Sequence, residues 1–344
     1  MPLVLVILAC SQAGRVGAVP TVPALTDLQD EVTLDSASLD TGSPPPIVWS
    51  EVAAGYSNSC GRLSDGRALC WGDNLNGILQ TPATRFSQIS VGNEYACGIL
   101  EDGKISCWGC QETNHTRTCT ASPSGAFASI DAGDWHACAQ DFAGAIRCWG
   151  LATAVPGPEF YSENVSDYST SEYGTCYLEP DELLPVCAGG IGFTEEGSPA
   201  HVPDPPAGVQ FVQVEAGQNH VCGLKADGHA ECWGESTGPG VPVVPAPPDE
   251  VFSMIDGCAF ETCGLRAEDG HAVCWGPNHL GNPDQAGYVA PPTVPLESLS
   301  VGEYHACGVV PGGGEILCWG MNREGDTEPP TLAAAIATLD AQAQ

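Results

Sequence analysis

The tripeptide Cys-Trp-Gly occurs six times, at Cys70-Trp71-Gly72, Cys107-Trp108-Gly109, Cys148-Trp149-Gly150, Cys232-Trp233-Gly234, Cys274-Trp275-Gly276 and Cys318-Trp319-Gly320. Ten or eleven positions before each stands another cysteine: Cys60, Cys97, Cys138, Cys222, Cys263 and Cys307. A seventh, decayed copy keeps Cys176 and Cys187-Ala188-Gly189 without the tryptophan. Such a chain is a repeat architecture, in which each unit buries its apolar face against its neighbours.

Counting back from the first cysteine of each pair exposes the rest of the unit. Eleven positions earlier stand Trp49, Phe86, Phe127, Val165, Phe211, Phe252 and Leu296, and eight positions earlier Val52, Ile89, Ile130, Tyr168, Val214, Ile255 and Leu299. Five positions earlier, five of the copies have a glycine: Gly55, Gly92, Gly133, Gly217 and Gly302. This reads as a short strand closed by a glycine turn, followed by a second strand through the first cysteine and a third through Cys-Trp. Between the last two lies Asp-Gly in four copies (Asp65-Gly66, Asp102-Gly103, Asp227-Gly228, Asp269-Gly270), a strong hairpin signal. The apolar anchors recur every 37 to 46 residues without helical patterning. The expectation is an all-β fold: a seven-bladed β-propeller of about three strands per blade over residues 47–320.

The unit running from Phe211 to Gly234, completed by Asp73-Asn74 in the first copy, resembles the regulator-of-chromosome-condensation repeat. The resemblance covers about four fifths of the chain. Its short period and seven-fold count are closer to the secreted bacterial branch of that family, which includes β-lactamase inhibitory protein type II, than to the longer-bladed nuclear founder. What it implies is a propeller used to bind another protein; it does not select the partner. The chain departs from the family pattern in its cysteine pairs, its decayed fourth repeat, and Cys258 at a glycine position.

Zinc ligands and redox pairs are closely spaced, as in Cys-x-x-Cys, whereas the paired cysteines here flank a hairpin turn. A three-residue loop Ser64-Asp65-Gly66 pairs Leu63 with Arg67 and so sets Cys60 opposite Cys70. The geometry predicts disulfides Cys60–Cys70, Cys97–Cys107, Cys138–Cys148, Cys176–Cys187, Cys222–Cys232, Cys263–Cys274 and Cys307–Cys318, and with them an oxidising compartment. Cys110 and Cys119 flank one loop with His115 between them, which fits a further disulfide or a metal clip; the disulfide is the expectation. Cys258 remains as a free buried thiol or an intermolecular bridge.

Both chain ends lie outside the repeats. Residues 1–18 read as a leader: the apolar run Met1 to Ala9 ends at Cys10, as in a bacterial lipobox, and predicts lipidation of Cys10. A second small-residue cleavage site follows Ala18 and predicts a freely secreted chain instead. Residues 19–46, with Ser43-Pro44-Pro45-Pro46, read as a flexible linker. In the tail, residues 321–344, the stretch 336–342 aligns with the first strand of the third repeat and is expected to be a ring-closing strand.

Function classes are bounded by charge. Ten Lys+Arg against 43 Asp+Glu give −33, a field that repels nucleic acid and anionic membranes and favours a partner with a cationic surface. His136, His220 and His305 share one repeat position and are expected to make structural hydrogen bonds rather than a metal ring. Gly234-Glu235-Ser236-Thr237-Gly238 matches a nucleophile elbow, but a Pro-rich loop follows where that motif needs a helix. No catalytic, cofactor or metal site is expected. The reading is a monomeric, exported protein-binding propeller, extracellular, periplasmic or anchored to an outer membrane, with inhibition of an extracellular enzyme as one form of that role. The alternatives are a lyase-like enzyme using the channel mouth and, less favoured, nucleotide exchange.

Overall fold

The computed structural model describes residues 44–110, 119, 121–150, 163–193, 199–201, 204–218, 220–234, 246–259, 261–276 and 288–342. In the first repeat, β1 (Trp49–Ala54), β2 (Asn58–Leu63) and β3 (Ala68–Gly72) form one antiparallel sheet in that order. The hairpin turn between β2 and β3 is closed by Leu63 N–H donating to Arg67 O at 2.8 Å and Gly66 N–H to Leu63 O at 2.9 Å. Gly66 has φ +88°, a conformation that costs a residue with a Cβ, which is why the turn is spelled Asp-Gly.

Seven such sheets occupy residues 49–72, 86–108, 127–150, 167–201, 213–234, 252–275 and 288–321, making a seven-bladed β-propeller. Five blades have three strands. Blade 4 adds Pro199–His201 and blade 7 adds Tyr288–Val289, each outside the third strand. In every blade the two repeat cysteines are directly opposed across the second and third strands and joined by a disulfide.

One backbone hydrogen bond repeats at all seven joints and closes the ring. The apolar anchor that opens each blade donates its N–H to a carbonyl in the preceding blade's hairpin turn: Phe86 to Gly66 at 2.7 Å, Phe127 to Gly103 at 2.9 Å, Val165 to Gly144 at 2.9 Å and Phe211 to Leu183 at 3.0 Å. Phe252 to Gly228 at 2.8 Å, Leu296 to Gly270 at 2.9 Å and Trp49 to Gly313 at 2.7 Å complete the circle. Apolar clusters likewise straddle the joints, as where Cys60, Cys70 and Ile78 meet Phe86, Ile89 and Trp108. In blades 2, 5 and 6 the Cys-Trp-Gly tryptophan packs against the phenylalanine anchor of its own blade, with ring centroids 5.3 Å apart for Phe86–Trp108, 5.3 Å for Phe211–Trp233 and 5.2 Å for Phe252–Trp275. Its indole N–H reaches back across the joint, Trp108 donating to Ile78 O at 2.9 Å.

Polar side chains stitch the innermost strands together where backbones do not pair. Ala54 N–H donates to Ser300 Oγ at 2.9 Å, Ala132 N–H to Ser90 Oγ at 2.9 Å, Thr170 N–H to Asp131 Oδ2 at 2.6 Å and Val301 N–H to Asp256 Oδ2 at 2.7 Å. Buried acids in this chain therefore accept backbone N–H groups of the next blade, which offsets their desolvation.

The ring-closing strand expected at 336–342 is instead part of a helix, α1 (Leu332–Gln342). Thr331 caps it, its Oγ1 accepting from Ala334 N–H at 3.3 Å. Alanine-rich sequence favours helix, and Ala335 and Leu339, one turn apart, are its two buried residues. They sit in the cluster of Trp49, Leu63, Trp71, Val309 and Ile316 that bridges blades 7 and 1. The segment before it takes the place of an inter-blade loop, since Trp71 Nε1–H donates to Asp326 O at 3.0 Å. Each blade is thus continuous in sequence, and the tail seals the last joint from outside.

Candidate functional site

The first strand of every blade runs toward its glycine turn, so seven such turns surround the axis at one end of the ring. A Cβ on Gly55 would come within 2.3 Å of Gly92 O, one on Gly92 within 2.4 Å of Gly133 O, and one on Gly302 within 2.1 Å of Gly55 O. Adjacent backbones touch there, and the glycines make that approach possible. Ser171 and Cys258 hold the same position in blades 4 and 6.

The next position in each blade is Tyr56, Asn93, Asp134, Glu172, Gln218, Ala259 and Glu303. All but Asn93 line an open concavity at this mouth, together with Ala54, Val91, Ala132, Thr170 and Ala216. Burial and the neighbouring Glu172 and Glu303 push the Asp134 carboxyl well above its usual range, against a hydrogen bond with Asn93. Burial and Glu172 raise Glu303 too, while Tyr304 and Arg323 pull it down. The three carboxylates thus feel one another across the axis.

Aromatic rings stand beside them. Tyr56 and Tyr304 meet edge to face with centroids 5.1 Å apart and hydroxyls 3.4 Å apart. The Arg323 guanidinium lies over the Tyr304 ring, 3.5 Å from its centroid, a cation–π contact. Gln218 Nε2–H donates to Glu172 Oε2. Among the described residues Cys258 is the free cysteine; burial, with Asp134 and Glu303 nearby, raises its thiol well above the usual range and keeps it from being a thiolate nucleophile.

The described lysines and arginines are segregated along the axis. Arg67, Arg85, Lys104, Arg147, Lys225 and Arg266 lie toward the hairpin-turn end, each within 4 Å of a carboxylate such as Asp65, Asp102, Asp141, Glu231 or Asp269. Among the described residues, Arg323 is the basic side chain that stands at the mouth.

The other candidates drawn from the sequence fall elsewhere or do other work. Cys110 and Cys119 are bonded to each other beyond blade 2. Cys10, His115 and Ser236 lie outside the described residues. The three histidines occupy three separate joints: His136 Nε2 is 2.9 Å from Thr175 Oγ1, His220 Nε2 is 2.9 Å from Thr262 Oγ1, and His305 Nε2 is 2.6 Å from Ser59 Oγ. Asp326 is 3.7 Å from His305 Nδ1. This Ser-His-Asp row has the residue types of a hydrolytic triad, but Ser59, His305 and Asp326 are fully buried and the Thr versions of the contact recur at other joints, so it is an inter-blade tie. The mouth residues were missed in the sequence, though a signal exists: the position after the glycine holds six residue types in seven copies.

Fold and site together define a seven-bladed propeller of disulfide-bonded repeats. The model of the regulator of chromosome condensation (RCC1) repeat matches residues 49–78 and 86–114, within the first two repeats. No curated protein matches the sequence. Among solved structures, the CRINKLY WD40 ectodomain of the Arabidopsis thaliana receptor kinase ACR4 is similar with TM-score 0.63 and 24% identity, covering 81% of this chain and 98% of that one. The entire ectodomain of the Physcomitrella patens receptor kinase CR4 gives 0.61 and 23%, covering 85% and 78%. Prp20p from Saccharomyces cerevisiae gives 0.55 and 14%, covering 86% of each chain. At these identities the likeness is one of fold.

Proposed function

We propose that the chain is an exported binding module that engages another protein through the mouth end of its propeller. The observation that carries this reading is the mouth position itself. Repeat positions with structural duties are nearly uniform, Cys, Trp and Gly, whereas the seven side chains around the mouth are Tyr56, Asn93, Asp134, Glu172, Gln218, Ala259 and Glu303. A position on a rigid ring that differs from copy to copy while its side chains face an open concavity presents a specific surface. Export is supported by one disulfide per blade, which persists only in an oxidising compartment, and by the ectodomain neighbours. A protein partner is in keeping with Prp20p, whose structure is described with its binding to Gsp1p and histones. Inhibition of an extracellular enzyme, as in the bacterial branch that the repeats resemble, is the most specific form of this reading.

Two measurements test it. Intact mass of natively exported protein before and after reduction is expected to show the blade cysteines oxidised; fourteen free thiols there would remove the compartment. Oxidised protein used as bait in the native extracellular fraction is expected to retain a protein partner, and loss of that partner on substituting Tyr56 and Gln218 would place the contact at the mouth.

A further inference from the structure

We propose that the mouth receives a basic segment of the partner protein, seating a lysine or arginine side chain among Asp134, Glu172 and Glu303 beside the Tyr56–Tyr304 pair. This rests on the binding-module reading and names its partner's chemistry. Two observations support it. The mouth is concave, so a side chain seated in it faces carboxylates from blades 3, 4 and 7. The chain also displays the chemistry there itself: Arg323 lies on the Tyr304 ring and draws down the Glu303 carboxyl. That arginine covers one side of the mouth; Asp134 and Glu172 on the other side form no ion pair among the described residues. Nor is any group of carboxylates among those residues gathered tightly enough to hold a metal ion, which fits an extended organic cation.

The probe is tetralysine, titrated calorimetrically at physiological salt. The triple variant Asp134→Asn, Glu172→Gln, Glu303→Gln is expected to weaken binding at least about tenfold, as loss of a desolvated charge pair does. A charge-matched control at the hairpin end, Glu101→Gln, Asp181→Asn, Glu182→Gln, should change it less than about twofold, as exposed charges do. Arg323→Ala, which uncovers Tyr304 and Glu303, should tighten binding severalfold and keeps the test open should the triple variant fail to fold. Equal losses in both triple variants, or no binding by the wild type, would overturn the proposal. So would spermidine binding as tightly as tetralysine, which would make the occupant a free polyamine. A photo-cross-linking residue at position 218 or position 142 then separates this proposal from the reading beneath it. Cross-links from 218 to a Lys- or Arg-bearing partner peptide support both. Cross-links from 142 alone leave a binding module with a different surface, and none from either removes the module as well.

Discussion

His136, His220 and His305 are each buried between two blades with a hydroxyl of the following blade as partner. Thr175→Val keeps the shape of that partner and removes the bond to His136, which should cost about 1–3 kcal/mol because a buried polar group loses its mate. Urea denaturation of the oxidised protein measures it. These imidazoles also set a pH dependence. An unfolded histidine takes its proton near pH 6.5, while burial lowers His136 and His220 to about 4 and His305 to about 3. Between those values the unfolded chain binds more protons, so the three withdraw stability as pH falls from about 6.5 toward 4. Glu51 and Glu303, raised chiefly by burial, act in the opposite sense, favouring the fold as pH falls. The expected result is that the triple variant His136→Gln, His220→Gln, His305→Gln loses ground to wild type at pH 7 and recovers it by pH 4.5; a constant gap would mean that the buried imidazoles do not titrate this way. The shared repeat position of the histidines was visible in the sequence. Their partners were not, because each hydroxyl belongs to the next repeat and the meeting is made by ring geometry.

At the scale of elements, blades were legible and the seal was not. Anchor, glycine turn, cysteine, Asp-Gly turn and Cys-Trp-Gly recur with a spacing that dictates strand, strand, strand, and the structure has that order in each blade. The tail has no repeat to lean on. Ile336 to Gln342 matched a strand by alignment, yet alanine propensity and the i, i+4 pair Ala335 and Leu339 favoured a helix once the groove between blades 7 and 1 was there to receive them. Deleting residues 331–344 should expose Trp49, Trp71 and Ile316 and lower the melting temperature of the oxidised protein. Leu339→Ala alone should cost about 2 kcal/mol, the low end for a buried leucine, because Leu339 lies at the edge of its cluster. An unchanged melting temperature in both variants would leave α1 as an appendage.

For the whole molecule, net charge and its placement decide the partners. With −33 overall and its described bases mostly paired, the protein should show no measurable binding to duplex DNA at physiological salt in a fluorescence anisotropy titration, since few cations exist to release counterions; micromolar affinity would overturn the net-charge argument. The amino-acid sequence by itself determined the seven-fold count, the strand order and the cysteine pairing, because hairpin register and repeat spacing are local and a directly opposed pair follows from turn length. Which carboxylates meet across the axis, which hydroxyl each histidine finds, and how the tail closes the last joint were decided only by the tertiary structure. Those contacts join residues about 40 or more positions apart, and curvature of the ring, which no single repeat encodes, brings them together.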